Sequence, residues 1–449
     1  MGGTLPIGGT GGTSIPPPPE PTGGSGPCKN LQCRQRVCAE GSETTVTGTV
    51  YAPNGTLPIY NALVYVPNAP LADFPPGLAC DRCGALPAGE PVVSAVTDAQ
   101  GAFRLVNVPV GANVPIVIQV GKWRRELVVP DVAACAETVL DDAEATRLPR
   151  NRSEGEMPRI AVTTGSCDNL VCLIAKLGID PDEWGVAGDD KAVTFYRGKP
   201  LDFDPHKDDR FTGALAGMTD ASELWGNYAT LSGYDVSIFS CECEEALENK
   251  GSVAYDAVTR YLAAGGRVFG TDYQYVWHQH ATDPNWVSAT TVTGAAPDGA
   301  PTGDTTIRLD TSFPKGKALA DWLAVIAPEN AYGEVTSAEV FDNFSAARAG
   351  VTQVWGSSGT LAEPTLARPR FLTVNMPAAA PVTEQCGKAA HLDAHITALS
   401  PAEFVHFPES CGAELANGEQ VLAFFFFDLA ACIQEDSKPV VPPPTTEPR

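Results

Sequence analysis

The chain reads as a multidomain protein, a small antiparallel β-sandwich followed by a doubly wound α/β domain. Two stretches carry that reading. From Thr45 to Pro130, short runs of alternating apolar and polar residues are separated by Pro/Gly turns, the signature of a sandwich. From Tyr234 to Gln274, a strand, a helix and a second strand follow within forty-odd residues, the signature of a right-handed crossover between parallel neighbours. Thirteen cysteines, irregularly spaced over both parts, add a covalent framework.

The crossover is the clearer of the two. Val236-Ser-Ile-Phe239 is an uncharged β-rich run, and Val268-Phe269-Gly270 begins a second buried strand. Between them Tyr255, Val258, Tyr261 and Leu262 share one helical stripe, closed by Gly265-Gly266. Open parallel sheets bind ligands beyond the carboxyl ends of their strands. Those ends are Ser240-Cys241-Glu-Cys243 and Thr271-Asp272-Tyr273.

Composition bounds the rest. With 449 residues and 43% hydrophobic content the chain can bury two ordinary cores. Fifty-four acidic residues against thirty basic ones give a formal charge of −24, which argues against nucleic acid or anionic membrane as partners. Sixteen of the first twenty-seven residues are Gly or Pro, so 1–27 is expected to be a disordered stalk of the kind that follows a lipoprotein anchor. No signal-like run lies in it, and a targeting segment is expected upstream of this start. The longest apolar run, Val421 to Ile433, is too short to span a bilayer. Cys80-Asp-Arg-Cys83 has zinc-knuckle spacing but lacks a second pair at the usual distance, so disulfides in an oxidising compartment are the expectation. The odd count leaves one thiol over.

In order, 28–44 is a cysteine-containing lead-in, 45–130 the sandwich, 131–157 a charged connector, 158–436 the α/β domain and 437–449 a Pro-rich disordered tail. Within the sandwich Asp98-Ala-Gln-Gly101 predicts a hairpin turn, because Asp bonds to its own backbone and Gly supplies positive φ. The α/β domain opens with Ile160 to Gly165, a strand running into a glycine turn. Ser166-Cys-Asp168 then caps a helix over Asn169 to Leu177. Ala192–Tyr196, Phe371–Asn375 and Ala389–Ile396 read as strands, Phe313–Ile326 and Asn417–Cys432 as helices, the last apolar nearly all round.

Two stretches resemble known families. Gly48-x-Val50, Pro58-x-x-Asn61-Ala62-x-Val64, Thr97-Asp98-x-x-Gly101-x-Phe103-x-Leu105 and Val108-Pro109-x-Gly111 resemble the carboxypeptidase regulatory-like domain, a transthyretin-like sandwich. The resemblance implies a non-catalytic module of secreted or surface proteins. The insertion 67–91, with Cys80 and Cys83, departs from that family and is expected to form its own disulfide-bound lobe. The second half resembles the class I glutamine amidotransferase-like superfamily, in its trehalose-utilisation-protein-like branch. The likeness lies in the glycine turn after Ile160–Thr163, the Tyr234-Asp-Val236 strand, Gly265-Gly266-Arg-Val268-Phe269 and the Cys386-Gly-Lys388 strand before a closing helix. That resemblance implies a flavodoxin-like fold and a nucleophilic cysteine on the elbow after the Gly-Gly strand. Thr271 and Asp272 stand there instead, so amidotransferase chemistry is not carried over.

Candidate chemistry gathers at the strand ends. His391-Leu-Asp393-Ala-His395 would place two imidazoles and a carboxylate on one strand face, as metal ligands or an acid/base set, or simply as a solvated edge. Asp272 and His278, with Ser166 and Asp168 across the sheet, are the expected ligand-binding groups. Cys241 is a reachable nucleophile in principle, but Glu242, Glu244, Glu245 and Glu248 oppose a thiolate. A disulfide from Cys241 or Cys243 to Cys167, Cys172 or Cys432 is the preferred expectation, and Cys386 with Cys411 is expected to close the loop around Phe404–Phe407. The functional expectation is a secreted or cell-surface, envelope-associated binding protein without catalysis, its partner a glycan or envelope protein. No cofactor is expected. The alternative is a metal-dependent hydrolase of a carbohydrate or amide, which would use a divalent metal.

Overall fold

The computed structural model describes residues 28–168, 170–199, 215–296, 300–337, 339–360, 363, 365–396, 407–408 and 411–445. Residues 1–27, expected as a stalk, and most of the loop around Phe404–Phe407 lie outside the described residues.

Seven strands build the first part: β1 (Thr45–Thr49), β2 (Leu63–Val66), β3 (Val93–Val96), β4 (Ala102–Val106), β5 (Gly111–Val120), β6 (Trp123–Val132) and β7 (Glu137–Leu140). They form two sheets, ordered β4-β1-β7 and β3-β2-β5-β6. The alternation read from sequence is the alternation of burial. In β4, Phe103 and Leu105 are buried while Arg104 and Val106 are exposed. The Asp98–Gly101 turn forms, with Asp98 Oδ1 accepting from the amides of Gln100 and Ala102 at 2.9 Å. It joins strands of different sheets and is therefore not a hairpin. Residues 131–157, expected as an aperiodic connector, contribute β7, which runs parallel to β1. The lead-in is stapled by Cys28–Cys33 and tied to the sandwich by Cys38–Cys135.

The second part adds β8 (Ile160–Thr163), β9 (Trp184–Val186), β10 (Val193–Tyr196), β11 (Val236–Phe239), β12 (Arg267–Thr271), β13 (Thr290–Val292), β14 (Thr306–Leu309), β15 (Glu334–Thr336), β16 (Glu339–Val340), β17 (Phe344–Ala347), β18 (Thr352–Ser358), β19 (Arg368–Met376), β20 (Gly387–Leu392) and β21 (Ala394–His395). Ten of them form one sheet, ordered β15-β14-β18-β19-β20-β12-β11-β8-β10-β9. The β20 to β9 portion is parallel, and β15 to β20 is antiparallel. The predicted crossover holds: β11 and β12 are parallel, pairing Val236 with Arg267 and Ile238 with Phe269, and helix Ser252–Ala263 joins them. The helix expected from Asn169 spans Val171–Lys176. The strand expected over Ala389–Ile396 breaks at Asp393. Its tail leaves the main sheet as β21 to pair with β16.

Alternate side chains of the parallel strands feed two cores. Ile160, Val162, Ile238, Phe269, Ala390 and Leu392 point to one layer, and Ala161, Val268 and Ala389 to the other with helix Ser252–Ala263. The first layer is shared with the sandwich. Helix Asn417–Ala430 lies in it, buried from Gly418 to Leu429. Phe425 packs on Trp355, with ring centroids 4.8 Å apart, and on Phe269 and Phe371 of the sheet. Phe426 and Phe427 pack on Trp123, and Phe424 stacks on Tyr60, all from the sandwich side. Gly121, at the β5–β6 turn with φ +55°, meets the helix end so closely that a Cβ there would lie 1.8 Å from the Ala430 carbonyl oxygen.

Two disulfides cross the same boundary. Cys80 bonds Cys386 and Cys83 bonds Cys432, so the insertion 67–91 is a strap onto the α/β domain and not a self-closed lobe. Cys386 and Cys411 are accordingly not partners. Cys411 bonds Cys172. Against the same helix sits a buried four-charge cluster: Lys315 lies 2.5 Å from Asp428 and 3.2 Å from Asp436, and Lys388 lies 3.1 and 2.6 Å from the same two. Burial alone would raise the Asp428 pKa, but Lys315 and Lys388 together hold it below the usual carboxylate range.

A carboxylate with a depressed folded pKa contributes stability above its unfolded pKa and loses it as pH falls toward the folded value. The cluster's contribution is therefore complete at neutral pH and should drain away below about pH 4. Asp428→Asn should cost about 3–5 kcal/mol at neutral pH, because it leaves two buried ammonium groups with one carboxylate. Its penalty in denaturant melts should shrink on acidification. A penalty below 1 kcal/mol at pH 7, or one that grows toward pH 3, would contradict this arrangement.

Candidate functional site

Four strand ends converge at the carboxyl edge of the parallel strands. Asp168 follows β8, Cys241 follows β11, Asp272 follows β12, and His395 arrives on β21 beside Glu339 of β16. The turn after β8 can come this close because of a glycine. A Cβ on Gly165 would lie 2.1 Å from the Cys241 carbonyl oxygen, which accepts from the Cys167 amide at 3.2 Å. Asp272 has φ +39°, so the chain turns sharply at the end of β12.

The polar groups form one chain of contacts, buried except at Glu339 and Asp342, which are half-exposed. His395 Nδ1 lies 2.7 Å from Glu339 Oε2, and its Nε2 lies 3.1 Å from Asp272 Oδ2. The Cys241 thiol donates to the same Asp272 oxygen at 3.3 Å and lies 3.8 Å from His395 Nε2. Asn343 Nδ2 donates to Asp272 Oδ1 at 2.8 Å and to Asp393 Oδ1 at 2.7 Å. Arg370, fully buried, approaches Asp393 at 3.4 Å and pairs with Asp342 at 2.9 Å. Asp168 Oδ1 accepts from the Ile396 amide at 2.8 Å.

The electrostatics determine which groups carry protons. Burial alone would lower the His395 pKa, but its contacts with Asp272, Cys241 and Glu339 outweigh that and hold it well above the usual imidazole value. The Glu339 carboxyl is held below its ordinary value by His395. Burial, reinforced by the Asp272 charge, pushes the Cys241 thiol up to about 12. Burial raises Asp393 to about 7 against the pull of Arg370. At neutral pH the cluster thus holds an imidazolium, which has no lone pair for a proton, beside an un-ionised thiol. A thiol hydrolase needs the opposite pairing, a basic imidazole or an ionised sulfur.

The expected residues are placed as follows. His391 and Asp393 do lie on the face opposite Ala390 and Leu392, with His391 Nε2 4.0 Å from Asp393 Oδ1. The three residues of the His391–His395 run take different partners. His391 packs on Phe344 and His278, whereas His395 turns to Asp272 and Glu339. His278 is buried rather than on a rim, and Trp286 Nε1 donates to its Nδ1 at 3.1 Å. Burial pushes its pKa down to about 3, so it is neutral. Ser166 is buried in the turn after β8. Cys243, not Cys241, forms the disulfide to Cys167, and Cys241 is the odd thiol, fully buried. Cys167, Cys241 and His395 place donor atoms within 4.8 Å of one another, but the Cys167 sulfur is committed to its disulfide. Glu339, Asn343 and Arg370 were not legible as site residues. The one available signal was Arg370, a charge abutting the apolar run Phe371–Val374.

Beside the cluster the surface opens into a cleft of about 630 Å3, lined by Glu244, Glu245, Tyr273, Tyr275, Gln279 and Thr293 among others. Tyr275 hydroxyl donates to Glu245, and Lys199 pairs with Glu244 at 2.5 Å.

No protein-family model matches the chain, and no curated protein does. Among solved structures, it has a likeness to a ThuA-like protein from Bacteroides uniformis, at 12% identity and a TM-score of 0.32, over 60% of this chain and 91% of that one. A mutant type II cohesin–X-dockerin complex from Acetivibrio cellulolyticus matches at 16% identity and a TM-score of 0.15, over 33% and 78%. The dioxygenase domain of a carbohydrate-binding fusion protein from Streptomyces sp. SirexAA-E matches at 20% and 0.15, over 30% and 96%. Likenesses this faint bear on neither activity nor partners.

Thiol counting tests the cluster directly. Unfolding without reductant should expose one thiol per chain, from Cys241. Maleimide labelling of the native protein at pH 7 should be slower than after unfolding by about two orders of magnitude or more. Rapid native labelling would show an accessible thiolate and overturn the charge assignment.

Proposed function

We propose that the chain is a secreted or cell-surface binding protein without catalytic activity, and that it takes a polyhydroxylated, glycan-type ligand in the cleft beside the strand ends. The observation that carries this reading is a division of labour at the rim. Cys241, Asp272, Asp393 and both His391 and His395, the groups with catalytic potential, are buried, and the open surface next to them is a wall of carboxylates and a tyrosine ring. Carboxylates accept hydrogen bonds from adjacent hydroxyls, and the half-exposed Tyr273 offers an apolar face to the C–H side of a sugar ring. A net charge of −24 disfavours polyanionic ligands and leaves neutral or cationic ones.

The finer assignments belong to the same proposal. The sandwich is read as a carboxypeptidase regulatory-like domain, and the α/β part as a flavodoxin-like fold that descends from amidotransferase-like proteins and lacks their nucleophile, with Asp272 at the elbow. Six disulfides support an oxidising compartment, and a Gly/Pro-rich stalk supports presentation at the envelope. Among the described residues no helix is long and apolar enough to cross a membrane. The metal-dependent hydrolase built on His391, Asp393 and His395 has less support, since those side chains take separate partners.

Binding of the full chain to a panel of neutral and cationic polysaccharides should identify at least one ligand. Tyr273→Ala should weaken it about ten-fold, the loss expected for one aromatic contact, with the melting curve unchanged. Absence of any retained polysaccharide, or binding indifferent to both Tyr273→Ala and Glu244→Gln, would defeat this assignment.

A further inference from the structure

Three donor atoms of different kinds meet at the strand ends. Cys241 Sγ and Asp272 Oδ2 are 3.3 Å apart, Cys241 Sγ and His395 Nε2 3.8 Å, and Asp272 Oδ2 and His395 Nε2 3.1 Å. A tetrahedral cation with bonds of about 2.0–2.3 Å spaces its donors by about 3.3–3.6 Å. The observed triangle therefore needs shifts of only a few tenths of an ångström to become one face of such a site.

The far side of each donor is already held. Glu339 receives His395 Nδ1 at 2.7 Å, which points Nε2 inward. Asn343 Nδ2 holds Asp272 Oδ1 at 2.8 Å, so that Oδ2 faces Cys241 and His395 at the centre. The Cys243 amide donates to Cys241 Sγ at 3.3 Å. Outer contacts of this kind orient metal ligands and fix the tautomer of a ligating histidine. A buried imidazole flanked by two carboxylates and a thiol has no such requirement if its only role is to fill a core.

We propose that Cys241, Asp272 and His395 are the protein ligands of a divalent transition cation of the zinc class. The mixed sulfur, nitrogen and oxygen set selects such an ion over calcium or magnesium, which take oxygen ligands. On loading, the Cys241 thiol releases its proton to solvent as the metal–sulfur bond forms, and His395 presents an unprotonated Nε2 to the metal while its Nδ1–H stays donated to Glu339. Cys167 Sγ stays in its disulfide and is not a ligand. The ion would clamp the ends of β11 and β12 to β21. The site is separate from the glycan cleft and does not rest on that reading.

The test uses the full chain, stripped with chelator and titrated with Co2+ and, separately, Zn2+. One equivalent should bind, Co2+ should give a thiolate-to-metal charge-transfer band in the near ultraviolet, and Zn2+ should raise the melting temperature. Cys241→Ser, nearly isosteric, should remove the band and the thermal shift while melting like the metal-free parent. Glu339→Gln should keep the band and weaken affinity about 10–100-fold. A folded parent that retains no metal would overturn the proposal. So would Co2+ binding whose spectrum is the same in Cys241→Ser, which would place the ion in a carboxylate site elsewhere.

Discussion

The packing of helix Asn417–Ala430 is the constraint on which the rest of the molecule depends. Its four consecutive phenylalanines leave no polar face, because the helix has no solvent side: Phe425 faces the ten-stranded sheet, and Phe424, Phe426 and Phe427 meet aromatic rings of the sandwich. Each ring contributes about 2–3 kcal/mol by removal from water. Truncating one to alanine should cost about 3–5 kcal/mol once the cavity is included. The sandwich and the α/β domain thus complete one core between them. The Cys80–Cys386 and Cys83–Cys432 disulfides and the Gly121 contact fix the same boundary.

That rigidity reaches the strand ends. The parallel strands bring Cys241, Asp272 and Asp168 to one edge, but β20 breaks at Asp393 and turns His395 away from His391 into the carboxylates. Several acidic groups then share one buried region. It is tolerable because nearly every one has a specific partner: Glu339 and Asp272 have His395, Asp393 has Asn343 and Arg370, and Asp168 has the Ile396 amide. Asp168 Oδ2 and His391 Nε2 are buried without a hydrogen-bond partner among the described residues, and the imidazole beside Cys241, that of His395, is held between Asp272 and Glu339. The cleft beside this network is lined by Tyr273, Glu244 and Glu245.

Much of the architecture was legible because its periods are local. Val236–Phe239, the stripe through Tyr261, and Val268–Gly270 each declare themselves within a dozen residues. The apolar circumference of Asn417–Ala430 was legible too, although its reason, a core on both sides, lies in tertiary packing. Disulfide connectivity was not, since Cys80 and Cys386 are 306 positions apart and pairing of distant cysteines has no local signal. The site was half legible. Asp272, Cys241 and His395 stand out by chemistry and by their places at strand ends. The break at Asp393 depends on Asn343 and Arg370 gripping its carboxylate, and short polar contacts from elements this remote leave no trace in spacing.

The shared core can be tested most directly by calorimetric unfolding of the whole chain with its disulfides intact. If the phenylalanine helix belongs equally to sandwich and sheet, the parent should melt in a single cooperative transition, and Phe425→Ala should lower that transition as a whole. Two resolved transitions in the parent, or a Phe425→Ala variant in which one half melts early while the other keeps the parent's midpoint, would contradict the account.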